Sequence, residues 1–170
     1  MTTTHYSAVE ELLHAISHGI GAVLSIIALI LMLMVSVPAG DNWLLTSSII
    51  YGTSLILLYC SSTLYHSIHN AEIKHRLRQL DHAAIFILIA GTYTPFTLIN
   101  LRDNWGLWLF GLIWAVAVAG VVIELVSGLK YKKLSLSLYL GMGWLVILAI
   151  KPMLENVAPG GMWLLVAGGL

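Results

Sequence analysis

Ser62 and His66 stand four residues apart in Ser61-Ser62-Thr63-Leu64-Tyr65-His66. A helix carrying them presents both on one face, one turn apart. Leu80-Asp81-His82 opens the next apolar stretch, which runs through Ile85 to Pro95, and Asp81 can reach the same layer from there. A hydroxyl, an imidazole and a carboxylate placed together at a bilayer edge suggest a buried metal or acid/base site. Each also has a plainer reading. A histidine at a helix end is commonly an interfacial side chain bonded to water or a carbonyl. An aspartate at a helix start is an N-cap for the first exposed amides.

The elements that position these groups are membrane spans. Of the 170 residues, 59% are hydrophobic and 9% charged, and the mean hydropathy is +0.91, a balance foreign to soluble domains. The net charge is zero and no basic run is interleaved with aromatics, which argues against a nucleic-acid partner. Cys60 is the single cysteine, so no internal disulfide forms. The residues ahead of Glu10 and Glu11 lack the basic flank of a cleaved signal.

Apolar runs near 18–38, 44–66, 81–101, 105–127 and 134–150 are each long enough, at roughly 20 residues, to cross a bilayer core. Polar breaks separate them: Pro38 to Asn42, the charged turn from Asn100 to Asn104, and Lys151-Pro152. A sixth apolar stretch starts near Gly161 and reaches Leu170, about ten residues, too few to cross. The fold class is an all-α integral membrane bundle with five full spans and a partial sixth. Residues 1–170 read as a single transmembrane helical domain, and the chain reads as a fragment stopping before the last span.

Orientation follows from the cations. Lys74, Arg76 and Arg78 lie between spans two and three, and Lys130, Lys132 and Lys133 between spans four and five, so six of the eight Lys and Arg share one side. That side is predicted to be cytoplasmic, with the amino terminus. His18, His66, Asp81 and Glu124 then all fall near the cytoplasmic ends of their spans, whereas the outer halves are almost wholly apolar. The pattern suits a pocket opening inward better than a pore. His18 and Glu124 are secondary site candidates, although snorkelling to the interface is the first reading of Glu124. His69, His75 and His82 read as solvated residues of a polar loop or its edge. Gly91 permits close helix approach, and Pro95 frees a carbonyl for a neighbouring Thr. Trp43, Trp105, Trp108 and Trp163 suit an interfacial belt, while Trp114 and Trp144 are expected to fill the bundle or line a cavity.

These residues carry a family resemblance. Ser62 to His66 resembles the S-x-x-x-H of the hemolysin III family, the bacterial branch of the progestin and adipoQ receptor (PAQR) proteins. The runs Leu80 to Phe86 and Ala90 to Phe96 resemble its most distinctive segment. Glu10-Glu11 followed by Ser17-His18-Gly19-Ile20-Gly21 is similar to its opening, and Met142-Gly143-Trp144 to its fifth span. The resemblance implies seven helices in a bacterial inner membrane and a zinc ion near the inner face. It implies His66 as the first zinc ligand, two further histidines of an H-x-x-x-H on a last span beyond Leu170, Asp81 as the partner of a water at the metal, and Ser62 positioning that water or a substrate oxygen.

One imidazole cannot hold a catalytic zinc, which takes about three protein ligands, so the 170 residues alone are expected to bind zinc weakly and to be inactive. By analogy with related alkaline ceramidases, the complete protein is expected to hydrolyse a lipid amide or ester, with a membrane lipid or fatty-acyl group as substrate. The alternative is a non-enzymatic sensor or regulator of membrane lipid state with structural zinc. A cytolytic, pore-forming role is disfavoured by the missing polar stripe.

Overall fold

A computed structural model describes residues 7–103, 105–127 and 130–169. The residues before Ser7, Asn104 of the expected outer turn, and Gly128 after span four lie outside the described residues. Helix α1 spans Ala8–Ala39, α2 Asn42–Ser67, and α3 Ala71–Pro95 with a π-helical turn over Phe96–Asn100. Helix α4 spans Gly106–Ser127, and α5 Lys132–Trp144 runs through a 3₁₀ segment, Leu145–Ala149, into α6 Ile150–Asn156. Helix α7 is short, Pro159–Gly169. No strand occurs among the described residues, and five helical stretches are long and apolar enough to cross a membrane.

Local chemistry sets the boundaries. Ser7 and Glu10 form a reciprocal capping box at the start of α1, and Gly40 ends the helix in the left-handed conformation at φ 65°. The Asp41 carboxylate then accepts from the amides of Trp43 and Leu44, which starts α2. Helix α3 begins ten residues before the expected span: Asn70 accepts from the amides of Glu72 and Ile73. The basic run Lys74 to Arg78 is therefore helical. Lys, Arg, Gln and Leu are good helix formers, and a polar helix can rise out of the apolar layer without cost. This corrects two expectations: Asp81 is not an N-cap, and His75 and His82 are helical residues.

Helices α1 to α4 pack in chain order, α1 along α2, α2 against α3 and α3 against α4, with α5 resting on α3 and α4. Small residues permit this closeness. A Cβ on Gly91 would overlap the Ser54 side chain, and one on Gly120 would overlap the Phe86 ring. Phe86, Ala90, Ile113, Ala117 and Met142 form one buried cluster; Leu101, Leu109, Ala149 and Met153 form a second nearer the opposite end. Leu24, Ile27, Leu31 and Val35 of α1 stay exposed, as a lipid-facing surface requires.

At Pro95 the missing N–H is followed by the π turn. Nearby hydroxyls bond main-chain carbonyls: Thr94 donates to Ala90 and Thr97 to Tyr93. The Trp114 indole donates to the Thr94 hydroxyl at 3.2 Å, so this ring does fill the bundle. Trp144 does not: it is 66% exposed on the outer surface of the described helices.

Candidate functional site

Helices α1, α2 and α3 converge where the basic residues lie, and polar side chains collect between them. Ser62 and His66 of α2 are both buried, and His66 is turned to α1. Helix α1 answers with Glu11, His14 and His18, spaced three and four residues apart along one stripe. The His66 ring centroid lies 4.8 Å from that of His14 and 6.1 Å from that of His18, and Tyr59 meets His18 edge-on at 5.8 Å.

His66 Nδ1 is 2.7 Å from Glu11 Oε2, and the other oxygen of that carboxylate accepts from Lys74 Nζ of α3 at 2.8 Å. The Lys74 ammonium also sits 5.0 Å from the centre of the Tyr65 ring, within cation–π range. Three helices thus meet through one carboxylate. Desolvation makes such a pair far more consequential here than on an aqueous surface, where it would contribute little.

Asp81 is half-buried on α3, close enough for its charge to act on His18 of α1 on one side and on His82 and Tyr139 on the other. The second neighbourhood contains Glu124. Its side chain is 1% exposed, which overturns the snorkelling expectation: α4 turns this carboxylate into the bundle on the stripe that also buries Ala117 and Gly120. Glu124 Oε2 is buried and without a hydrogen-bond partner among the described residues, and so is His18 Nδ1. His82, expected at the solvated edge, is half-buried in α3, where its carbonyl accepts from the Tyr139 hydroxyl at 2.8 Å.

The structure therefore brings His66 and His18 together, buries Ser62 one turn from His66 on α2, puts Asp81 within electrostatic reach of His18, and seats Glu124 apart with His82 and Tyr139. Among the described residues no three His, Cys, Asp or Glu side chains are gathered tightly enough to hold a metal ion. The surroundings nonetheless fit zinc at one ligand: an imidazole held by a carboxylate through one nitrogen is the usual arrangement of a metal-bound histidine. The unpartnered Nδ1 of His18 marks buried polar space beside it.

A cavity of about 270 Å³ lies elsewhere, between Thr92, Phe96, Leu101, Leu109, Val146 and Met153 at the far end of α3, and none of the expected site residues lines it. Glu11 and His14 were missed as site residues in the sequence. Their signal was the spacing Glu11, His14, His18, a polar stripe on an otherwise apolar helix.

Comparison with known proteins finds relatives over nearly the whole chain. A family profile described as "Haemolysin-III related" matches residues 6–170. The chain belongs to this family. It is 45% identical over 161 residues to "Hemolysin-3" of Bacillus cereus, covering 95% of this chain and 74% of that protein. It is 43% identical over 161 residues to "Hemolysin-3 homolog" of Bacillus subtilis (strain 168), covering 95% and 76%. The human "Monocyte to macrophage differentiation factor" is 30% identical over 139 residues, 73% of this chain and 56% of that protein. The family segments described above, from Glu10-Glu11 to Met142-Gly143-Trp144, lie inside the matched range, in a multi-pass helical membrane protein.

Proposed function

We propose that the complete protein is a zinc-dependent hydrolase of lipid amide or ester bonds, lying in the bacterial inner membrane with its amino terminus in the cytoplasm. The observation that carries this reading is the burial of His66 and Ser62 on one face of a membrane-spanning helix, with the His66 ring tied to a carboxylate. Polar groups kept within a membrane bundle at a cost to stability are functional by default. Six of eight cations at the same end support the orientation.

His66 would hold the metal with two histidines from a span beyond Leu170. Zinc bound there would acidify a water and polarise a carbonyl. Asp81, half-buried and within electrostatic reach of His18, would accept the proton from that water and return it to the leaving group. Ser62, one turn below His66, would orient the water or the substrate oxygen. The acyl chain would lie along the apolar halves of the same helices, so the scissile bond meets the polar layer at headgroup depth.

The test is fatty-acid release by the purified complete protein in nanodiscs from lipid amides and esters. His66→Ala should remove metal and turnover together. Asp81→Ala should keep most metal and lose about 10²–10⁴-fold in turnover, and Ser62→Ala should be milder than either. Failure to release fatty acid from any lipid amide or ester, with zinc bound, would favour the sensor reading. The apolar cavity of about 270 Å³ away from the polar cluster favours that second reading, since it offers a lipid chain a place remote from any chemistry. The relatives' name suggests lysis, but the buried hydroxyls in the outer halves of α2 and α3, among them Ser48, Ser54, Thr94 and Thr97, donate to nearby main-chain carbonyls instead of lining a pore.

A further inference from the structure

We propose that Glu11 is a positioning residue for His66, holding the imidazole by its Nδ1–H so that the ring's lone pair sits on Nε2. The inference rests on the zinc reading in one respect only, that Nε2 is the nitrogen directed to the metal.

The geometry is specific. Glu11 is 14% exposed and His66 9%, and their 2.7 Å contact has the length of a charge-assisted hydrogen bond. The second Glu11 oxygen is held by Lys74 at 2.8 Å, which keeps the carboxylate ionised. An ionised carboxylate is an acceptor only, so the proton of the Glu11–His66 bond belongs to Nδ1. In a neutral ring the other nitrogen then carries the lone pair. Lys74 contributes a second constraint, because a carboxylate anchored at both oxygens cannot rotate away from the ring.

The separation in the chain argues against a local accident. Glu11 and His66 are 55 residues apart, and Glu11 and Lys74 63, so α1, α2 and α3 must all be docked before the ring is set. Carboxylate partners of this kind fix the tautomer of metal-bound histidines and raise their basicity. Nothing in the sequence resemblance gave Glu11 that role.

The decisive measurement is the tautomer of His66 in the 170-residue chain itself, purified in detergent with ¹⁵N-labelled histidine at about pH 8, above the ordinary imidazole range. Long-range ¹H–¹⁵N correlation, with His66→Asn to assign the ring, should show a protonated Nδ1 and a bare Nε2. Glu11→Leu should lose that preference. Glu11→Gln should restore it, because the amide oxygen can accept the same bond, and Lys74→Met, which leaves one carboxylate oxygen unanchored, should weaken it without abolishing it.

In the complete protein, added Zn²⁺ should then move the Nε2 resonance while Nδ1 keeps its proton, and Glu11→Leu should weaken the apparent zinc affinity about 10–100-fold. A wild-type His66 with its proton on Nε2, or a Glu11→Leu spectrum identical to wild type, would overturn the proposal without needing zinc to bind. A Glu11-dependent Nδ1 proton, with neither nitrogen responding to Zn²⁺ in the complete protein, would uphold the positioning role and count against the zinc reading.

Discussion

Replacing Glu124 by Met should make the protein more stable. Glu124 is 1% exposed and its Oε2 has no hydrogen-bond partner among the described residues. An unsatisfied buried polar atom costs roughly 1–3 kcal/mol, and an ionised carboxylate in that position would cost several kcal/mol more. Methionine has nearly the same length, has no polar atom to desolvate, and adapts its rotamers to the space left between Gly120 and the Tyr139 region. The expected gain is therefore about 1–3 kcal/mol, and Glu124→Gln should gain less because it keeps a polar head in the same place. Equilibrium unfolding in mixed micelles, followed by helical ellipticity, measures the difference. If Glu124→Met instead lost about 2 kcal/mol, the carboxyl would be making bonds that matter to the fold, and the reading of Oε2 as an uncompensated buried atom would fall. If the carboxyl is kept for function, the stabilised variant should lose activity, the usual exchange between stability and a working site.

Cysteine placed at Lys132 should label with an impermeant reagent only from the cytoplasmic side, and strong labelling of intact cells from outside would reverse the topology. Elemental analysis should find the 170-residue chain with far less than one zinc, and a form continued through a span bearing two histidines four apart with about one, because three ligands are needed; stoichiometric zinc in the short form would implicate His18 or His14. Gly120→Ala should destabilise by roughly 1–3 kcal/mol, since the added carbon overlaps the Phe86 ring and Phe86, fully buried against Tyr139 at 4.4 Å, has nowhere to go. Phe86→Leu should relieve part of that loss, and additive losses would argue against the clash.

The five spans were legible in the sequence because twenty-residue apolar runs have no other stable home, and the pairing of Ser62 with His66 followed from helical spacing alone. The start of α3 was not legible. Hydropathy reports where the membrane begins, and helical geometry continues past it wherever the residues are good helix formers and a cap such as Asn70 is present. The N-cap alternative weighed for Asp81 consequently falls, because the residue lies eleven residues into the helix. Glu124 was misread for a related reason: distance from the helix end says how far a side chain must reach to water, but not which way the helix is rotated. Glu11 escaped notice because its partners, His66 and Lys74, lie on two other helices, and no local pattern encodes a contact across 55 residues.

The early start of α3 has a mechanical consequence. From Ala71 to Asn100 it is a helical stretch of 30 residues, about 45 Å at 1.5 Å per residue, against an apolar core of about 30 Å. Its basic third therefore exceeds that thickness and would stand proud of the hydrocarbon as a stiff post, with Lys74, Arg76 and Arg78 along it at set heights. Cations on a loop would follow the lipid headgroups up and down; cations on a post make the headgroups the reference and hold the bundle at one depth. Because Lys74 is also tied to Glu11, and Glu11 to His66, the level of the polar cluster would be gauged against an anionic lipid surface on that side. A thinner or less charged leaflet would shift the cluster's immersion, and so the portion of a lipid brought level with it.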